Sequence, residues 1–472
     1  MNPSPIQTAT FASLGLPPEV LANLEQLGYQ AMTPIQAAAL PLALLGQDVI
    51  AQAKTGSGKT AAFGLALLDR LNPRLFAVQA MVLCPTRELA DQVAGEIRRL
   101  ARAQDNIKLI TLCGGVPLRA QLASLEHGAH IVVGTPGRVM DHLDRQSLDL
   151  SALKTLVLDE ADRMLDMGFH DDMVKVASQC PNGRQTLLFS ATFGDDIAQL
   201  SRRFMREPQR ITVETQHAEG SIEQRWIEVT SRQRLHAVGQ VLRHFLPAST
   251  MAFCNTKAQC RDLVQVLQAE GMVALALHGD LEQRERDQVL VQFANRSASV
   301  LVATDVAARG LDVAQLEMVI NVDVTPDAEV HVHRIGRTGR AGAQGLAVNL
   351  VSMDEMGAVG RIELLQQAPS VWTPLAELSE AGTALQPPMR TLQIAGGRKA
   401  KIRAGDVLGA LTADMGFARE QIGKISVNDF STYVAVNRDI AEQALRKLSS
   451  GRVKGKSVKA RLLDLNSSDE VF

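Results

Sequence analysis

The chain has 472 residues, of which 46% are hydrophobic and 21% are charged, and its formal net charge is −2. This composition is typical of a globular protein with about three domains, and no apolar stretch approaches the ~20 residues that a membrane span requires. The five cysteines form no C-x-x-C pair, which argues against a disulfide framework or a zinc site and favours a reducing cytoplasm.

The small net charge conceals an asymmetry along the chain. Residues 389–465 contain 15 Lys or Arg and 7 Asp or Glu, a balance of +8, whereas residues 1–388 contain 34 and 42, a balance of −8. The last seven residues add −2. A basic segment on an acidic body favours contact with a polyanion, although an ordinary solvated surface can carry the same charge.

Short apolar runs alternate with helix-like stretches over two parts of the chain. The runs show no period-two alternation, as expected of strands buried on both faces of a parallel sheet. The pattern predicts two tandem α/β domains, each with a parallel sheet wrapped by helices. The first set of runs is 48–53, 80–85, 108–113, 130–134, 155–159 and 185–190, and the second is 226–229, 250–254, 273–277, 299–303, 317–322 and 345–350.

A third, smaller domain follows a proline-bearing stretch. Its predicted order is β-α-β-β-α-β, as in a ferredoxin-like fold. The predicted elements are strand 390–395, helix 404–415, strand 422–427, strand 432–437, helix 438–448 and strand 457–463. The predicted organisation is an α/β domain at 1–214, a second at 215–368, a linker at 369–388, the small domain at 389–465 and a tail at 466–472.

The first predicted strand leads into a glycine-rich loop that opens a helix. The sequence Ala-Lys-Thr-Gly-Ser-Gly-Lys-Thr at 53–60 has the spacing of a phosphate-binding loop, whose glycines let backbone N–H groups close around phosphate oxygens. Lys59 would reach the β- and γ-phosphates, and the Thr60 hydroxyl would bind Mg²⁺. The residues expected around the nucleotide are Thr55, Gly56, Ser57, Gly58, Lys59 and Thr60.

Two acidic residues end the fifth predicted strand, at the edge where ligands bind such sheets. Asp159 is a candidate Mg²⁺ ligand, and Glu160 is a candidate base that orients the attacking water. Taken alone, Asp-Glu-Ala-Asp at 159–162 is more often a turn or a helix N-cap. The phosphate loop upstream favours the catalytic interpretation.

With these motifs, residues 11–351 resemble the DEAD-box family of ATP-dependent RNA helicases. The resemblance implies two tandem RecA-like domains and RNA-dependent hydrolysis of ATP with Mg²⁺. Gly28 and Tyr29, with Thr-Pro-Ile-Gln at 33–36, resemble the family's adenine-reading motif. By that resemblance Gln36 hydrogen-bonds the adenine edge, Tyr29 stacks on its ring, and Phe11 is the upstream aromatic residue.

Three further segments of the first domain resemble the family's contacts to the RNA backbone. Their hydroxyl, guanidinium and N–H groups suit phosphates and read no base sequence. Ser-Ala-Thr at 190–192 resembles the element that couples the ATP state to RNA contact. The expected RNA contacts are Pro85, Thr86, Arg87, Gly115, Thr135, Pro136, Gly137 and Arg138.

The second domain resembles the family in its last two motifs. Arg337 and Arg340, about one helical turn apart, are expected to point the same way from one helix and to act as catalytic arginine fingers on the transferred phosphoryl group. The resemblance implies that Asp312 contacts the ribose and that Thr304 and Arg309 serve RNA or inter-domain contacts. Hydrolysis would then need residues of both domains, and ATP and RNA would favour each other's binding.

The third domain resembles an RNA-recognition motif, which usually stacks bases on aromatic residues of its central strands. Gln393 stands where one such aromatic is expected, and Tyr433 is the remaining stacking candidate, with a structural role in the strand as the alternative. Phe430, just before that strand, is a second stacking candidate, and a place in the core is the alternative that we favour for it. The better candidates for phosphate contacts are a second basic run at 452–456 and the residues Arg398, Lys399, Lys401 and Arg403.

A DEAD-box core with a basic, aromatic-poor C-terminal domain resembles one bacterial subfamily. That resemblance implies a hairpin of 23S ribosomal RNA as the anchoring partner and a role in assembly of the large ribosomal subunit, with no membrane and no obligate protein partner. The leading hypothesis is an ATPase that locally separates short RNA duplexes. An ATP-gated RNA clamp without significant unwinding, and a DNA helicase or other phosphate-loop motor, are the alternatives.

Overall fold

A computed structural model of the protein describes residues 9–53, 56–213, 222–308, 316–339, 344–378 and 385–463. Across these ranges, no helix combines the length and the hydrophobicity that crossing a membrane demands. The chain divides into two compact units, and the described residues from 222 onward belong to the second.

The first unit contains a seven-stranded sheet whose neighbouring strands all run parallel. Its strands are β1 Val49–Gln52, β2 Ala80–Leu83, β3 Leu109–Leu112, β4 Ile131–Gly134, β5 Thr155–Leu158, β6 Gln185–Ser190 and β7 Gln209–Thr212. Their spatial order is β3-β4-β2-β5-β6-β1-β7. The first six lie within the predicted runs. The sequence analysis missed β7 because this edge strand is largely exposed and has no apolar run, although its backbone pairs with β1.

Helices cover both faces of this sheet, and successive strand residues point to opposite sides. Val49 and Ala51 join one hydrophobic cluster, whereas Ile50 joins another. Both sets are therefore buried, which explains why the sequence shows no period-two alternation. The helices are α1 Pro18–Gln26, α2 Pro34–Leu44, α3 Lys59–Asp69, α4 Arg87–Leu100, α5 Leu118–Glu126, α6 Pro136–Asp144, α7 Ala161–Asp166, α8 His170–Ser178 and α9 Asp195–Phe204.

The second parallel sheet has six strands, which are β8 Ile222–Glu228, β9 Thr250–Phe253, β10 Ala274–Leu277, β11 Val300–Ala303, β12 Met318–Asn321 and β13 Gly345–Val351. Their spatial order is β10-β11-β9-β12-β13-β8. β8 starts before the predicted run at 226–229, because its mostly polar first residues pair with β13 through the backbone. The helices are α10 Arg234–Phe245, α11 Lys257–Ala269, α12 Gln283–Ala294, α13 Asp305–Ala308, α14 Ala328–Ile335 and α15 Met356–Gln366.

The C-terminal domain follows the predicted β-α-β-β-α-β order. Its strands and helices are β14 Met389–Ala395, α16 Ala404–Gly409, β15 Ile422–Val427, β16 Ser431–Asn437, α17 Ala441–Ser450, β17 Arg452–Val453, β18 Lys456–Ser457 and β19 Ala460–Leu462. The antiparallel sheet has the order β15-β16-β14-β19, and β17 and β18 form a separate hairpin. That hairpin shortens the strand predicted at 457–463, and a π-helical turn at Ala410–Asp414 completes the helix predicted at 404–415.

Buried polar groups join the C-terminal domain to the second α/β domain. The Thr391 hydroxyl in β14 accepts a hydrogen bond from the Asn295 amide at 3.1 Å and lies 2.8 Å from the Ser297 hydroxyl. The Met389 N–H donates to the Arg296 carbonyl at 3.3 Å. Because the Thr391, Asn295 and Ser297 side chains are buried, this contact fixes the start of β14 next to the end of α12.

Thr391→Val should loosen this contact, since valine keeps the side-chain shape but leaves the Asn295 amide and the Ser297 hydroxyl without a partner. A buried polar group left unsatisfied costs about 1–3 kcal/mol, and the free energy of unfolding in urea is expected to fall by that amount. Thr412→Val is the matched control, because the Thr412 hydroxyl bonds a carbonyl of its own helical segment. Equal losses in the two variants would contradict a stabilising role for the contact.

Candidate active site and RNA-contacting residues

The glycine-rich loop joins β1 to α3, as its spacing predicts. Gly56 and Gly58 have φ values of +83° and +92°, in the left-handed region that favours glycine. A Cβ atom at Gly58 would also lie 2.6 Å from the Gln36 amide nitrogen. Lys59 is the first residue of α3, so the unpaired N–H groups of that helix start adjoin the loop. Thr55 lies outside the described residues.

Gln36 links the candidate adenine-binding motif to this loop. It is buried in the first turn of α2, where its side chain accepts a hydrogen bond from the Thr33 N–H at 2.9 Å and donates one to the Gly58 carbonyl at 3.0 Å. The first bond is half of the capping box that starts α2. One amide therefore fixes both a helix start and the loop expected to surround the phosphates.

The two aromatic residues of the same motif pack together. The rings of Phe11 and Tyr29 meet edge to face, with centroids 6.0 Å apart. The Tyr29 hydroxyl donates to a Glu96 carboxylate oxygen at 2.6 Å, and burial together with this acidic neighbour raises the pKa of Tyr29 well above its usual value. Phe11 is buried and Tyr29 is half-buried, so part of the Tyr29 surface is available for the expected adenine contact.

Lys59 and Asp159 bring two buried charges to the carboxyl edge of the sheet. They are 6% and 2% exposed, and within the described part of the chain neither Lys59 Nζ nor Asp159 Oδ1 has a hydrogen-bond partner. Burial raises the pKa of Asp159 to about 6, while the Lys59 charge opposes that rise. Buried polar atoms without hydrogen bonds are costly. Phosphate oxygens would suit Lys59, and Asp159 with the Thr60 hydroxyl offers the oxygen ligands that Mg²⁺ prefers.

Glu160 has an unusual backbone conformation directly after Asp159. Its φ is +52°, and it is 7% exposed at the start of α7. A left-handed conformation is rare for a residue with a side chain. Such residues cluster at functional sites, where the surroundings hold them in place.

Asp162 ties the acidic motif to the Ser-Ala-Thr element that follows β6. Its carboxylate accepts hydrogen bonds from the N–H groups of Ala191 and Thr192, both at 3.1 Å, and from the Thr192 hydroxyl at 3.3 Å. The sequence analysis gave Asp162 no role, although it is the last letter of the acidic motif. The contact joins a candidate catalytic segment to the candidate coupling element.

The RNA contacts expected in the first domain follow three neighbouring strands. Pro85 and Thr86 connect β2 to α4, which begins at Arg87. Gly115 follows β3, and Thr135, Pro136, Gly137 and Arg138 lie at the start of α6, directly after β4. Because β3, β4 and β2 are adjacent and parallel, their carboxyl ends place these residues along one part of the sheet edge.

Gln121, which lies outside the motifs, positions Arg138 of this group. Its side-chain oxygen accepts a hydrogen bond from Arg138 at 2.7 Å and lies 3.0 Å from a His142 ring nitrogen, while its amide donates to the Cys113 carbonyl at 2.9 Å. Arg138 also donates to the Val116 carbonyl at 3.0 Å. Sequence reasoning missed Gln121 because a single glutamine in an ordinary helix gives no signal.

In the second domain, a buried ion pair joins two segments that resemble family motifs. Thr304 and Asp305 follow β11. Arg334 in α14 is 2% exposed, donates two hydrogen bonds of 2.7 Å to the Asp305 carboxylate, and donates one of 2.8 Å to the Asn255 side chain. Three predicted site residues of this domain lie outside the described ranges, namely Arg309, Asp312 and Arg340.

The expectation that Arg337 and Arg340 project from one helix is wrong. α14 ends before Arg337, whose N–H bonds the Arg334 carbonyl at 3.1 Å as in a turn. The chain leaves the helix here because the buried Thr338 hydroxyl donates to the Leu316 carbonyl at 2.5 Å. Arg337 therefore lies in the segment that follows the helix.

Two aromatic residues of the C-terminal domain lie in environments that differ from the expected ones. Tyr433 is 4% exposed and pairs across the sheet with Gln393, whose side chain accepts a hydrogen bond from Arg461 at 2.9 Å. This burial leaves almost no ring surface for the expected base stacking. Phe430, expected in the core, is 78% exposed because it lies in the turn between β15 and β16. The expected phosphate contacts are exposed, namely Arg398, Lys399, Lys401 and Arg403.

Three family profiles match consecutive parts of the chain. They are the DEAD/DEAH box helicase at 33–200, the helicase conserved C-terminal domain at 233–342 and the DbpA RNA binding domain at 391–462. The ATP-dependent RNA helicase DbpA of Escherichia coli (strain K12) is 54% identical over 96% of this chain and 99% of that protein. The DEAD-box ATP-dependent RNA helicase CshA of Bacillus cereus is 43% identical over 75% of this chain and 67% of its own.

Solved structures match the two parallel-sheet domains. Saccharomyces cerevisiae Dbp5 bound to RNA and ADP BeF3 is 32% identical, with a TM-score of 0.71, over 78% of this chain and 96% of that chain. Mss116p bound to ssRNA and AMP-PNP is 27% identical, with a TM-score of 0.70, over 78% of this chain and 80% of that chain.

Glu160→Gln removes the group expected to orient the attacking water and keeps the side-chain size. A general base contributes about 10²–10⁴-fold to a rate, so RNA-stimulated phosphate release should fall at least ~100-fold while a fluorescent ATP analogue still binds. Glu207→Gln is the control, because Glu207 is an exposed residue of the same domain that also has a positive φ. Near-normal turnover by Glu160→Gln would remove Glu160 from this role.

Proposed function

The chain belongs to the DEAD-box family of ATP-dependent RNA helicases, with a DbpA-type RNA-binding domain, and from this premise we propose that it locally separates short RNA duplexes. Its C-terminal domain anchors it to a hairpin of 23S ribosomal RNA, and its cellular role is assembly of the large ribosomal subunit in the cytoplasm. The observation that carries the proposal is the identity to E. coli DbpA across 99% of that protein, C-terminal domain included.

ATP binds at the carboxyl edge of the first sheet, next to α3. The loop N–H groups and the Lys59 ammonium bind its phosphates, and Gln36 and Tyr29 bind its adenine. Thr60 and Asp159 hold Mg²⁺, which neutralises phosphate charge when bound. The unpartnered Lys59 Nζ and Asp159 Oδ1 support this arrangement, because ATP and the ion would supply the missing partners.

Glu160 orients the water that attacks the γ-phosphate. Its burial and its fixed, left-handed backbone support this role, because a water-orienting group must hold one position. Arg337 and Arg340 stabilise charge on the transferred phosphoryl group, and Asp312 contacts the ribose.

ATP binding and RNA binding are coupled through Asp162. Its three hydrogen bonds join the acidic motif after β5 to the segment after β6, so a shift of one segment moves the other. Linkage requires that RNA favour ATP binding by the same factor by which ATP favours RNA binding.

The energy of base stacking limits each event to a few base pairs. Opening one duplex step costs roughly 1.4 kcal/mol for DNA, and RNA is of the same order. The activity is therefore local strand separation followed by release, not travel along a long duplex. A tethered hairpin raises the local concentration of nearby duplex to about the millimolar range, which directs a sequence-blind core to one site.

A chain ending at residue 388 tests the targeting. It should lose the preference for a 23S rRNA fragment over generic duplex RNA, with the apparent affinity for the fragment falling about 100-fold because the tether is gone. The measurement is ATPase rate against RNA concentration. An unchanged maximal rate at saturating generic RNA is the control for folding, and a preference that survives truncation would contradict the proposal.

Strand displacement by the full chain separates unwinding from clamping. With ATP the displaced yield should fall steeply as the duplex lengthens, and a yield independent of length would contradict local separation. ATP turnover without any displacement would instead support the ATP-gated clamp. The DNA helicase alternative is set aside because the matched relatives are RNA helicases.

A further inference from the structure

The turn between β15 and β16 presents an aromatic ring to solvent. Phe430 in this turn is 78% exposed. A large apolar side chain with this much exposure contributes little hydrophobic stabilisation to the fold. By contrast, the sheet face that RNA-recognition motifs usually offer to bases is closed here, since Tyr433 and Gln393 are 4% and 7% exposed.

A second loop holds this turn in one conformation. The N–H groups of Gly396, Arg398 and Lys399 donate to the carbonyls of residues 430, 428 and 429, at 2.9, 2.8 and 2.9 Å. A Cβ atom at Gly397 would collide with the Asn428 carbonyl oxygen, so the two backbones touch. The Phe430 ring therefore projects from a rigid support, which lowers the entropic cost of binding a ligand.

The supporting loop is basic. Arg398, Lys399 and Lys401 are exposed, and the Arg398 side chain is also 2.8 Å from the Asp429 carboxylate. From the hairpin of β17 and β18, Lys454 Nζ donates to the Lys401 carbonyl at 2.6 Å. Lys454 Nζ also lies 3.3 Å from the Asp406 carboxylate. The turn that carries the exposed aromatic ring thus adjoins a loop rich in basic residues.

We infer that Phe430 is a base-stacking residue, which takes an unpaired base of the RNA while Lys399, Lys401 and Lys454 contact the flanking phosphates. An exposed ring beside several cations matches a nucleotide, which joins a flat base to a negative charge. A single ring is too small for a protein-docking patch of several hundred Å². The inference rests on the proposed function, because it names the part of the C-terminal domain that binds structured RNA.

Phe430→Ala in the full chain tests the stacking. Its affinity for a 23S rRNA hairpin fragment should fall about tenfold, the size of effect that loss of one base–aromatic stack produces. Phe430→Trp should keep the affinity and add a tryptophan signal that the RNA quenches, above the background of the two native tryptophans. Phe430→Leu should bind as weakly as Phe430→Ala, because leucine is apolar but not aromatic.

Salt dependence separates the ring from the charges. Phe430→Ala should leave the slope of log affinity against log salt unchanged, whereas Lys399→Ala should reduce it by about 0.7–0.9, the contribution of one phosphate contact. Wild-type affinity in Phe430→Ala, or full affinity in Phe430→Leu, would overturn the inference. Loss of a co-purifying protein from Phe430→Ala with RNA affinity intact would also overturn it and assign the ring to a protein partner.

A failure of the targeting proposal gives a different result. In that case the wild-type chain binds the hairpin fragment no better than a single-stranded RNA of equal length. The affinities of the wild type and of Phe430→Ala for the single-stranded RNA are then compared. Equal affinities overturn the stacking inference, and a tenfold loss in the variant supports it without the ribosomal target.

Discussion

The proposed ATP site depends on two buried polar atoms that lack hydrogen-bond partners within the described part of the protein. Lys59 Nζ and Asp159 Oδ1 lie at the carboxyl edge of the first sheet without hydrogen bonds, in surroundings that raise the pKa of Asp159 to about 6. A fold selected for stability alone would replace such groups with apolar ones. The proposed binding of ATP and its cation would explain their presence, because it would turn a local cost into binding energy.

Strand order then places two groups of candidate residues on separate parts of one sheet edge. The phosphate loop, the acidic motif and the Ser-Ala-Thr element follow β1, β5 and β6, which are neighbours, while the expected RNA contacts follow the adjacent β3, β4 and β2. Within the first group, Gln36 bonds the loop and Asp162 bonds the segment after β6. Short side-chain links at the edge of a rigid sheet therefore connect the candidate adenine motif to the candidate phosphate loop, and the acidic motif to the Ser-Ala-Thr element.

Much of this could be predicted from the sequence, because buried parallel strands and phosphate loops leave local patterns. Strands β1 to β6 of the first sheet and the loop at 53–60 are examples. Features set by distant contacts could not. Edge strand β7 has no apolar run, and Gln121 acts through partners remote in sequence. The Thr338 hydroxyl bonds a carbonyl outside the helix, so α14 ends before Arg337. Phe430 and Tyr433 differ in burial only because one lies in a turn and the other within a paired strand.

The most direct test of the central claim is the thermal stability of Lys59→Met with and without ATP and Mg²⁺. Methionine fills the same space without the buried charge, so the variant without nucleotide should melt at or above the temperature of the wild type, while ATP with Mg²⁺ should no longer raise that temperature. A variant that melts lower without nucleotide, or that ATP still stabilises as it does the wild type, would contradict the account.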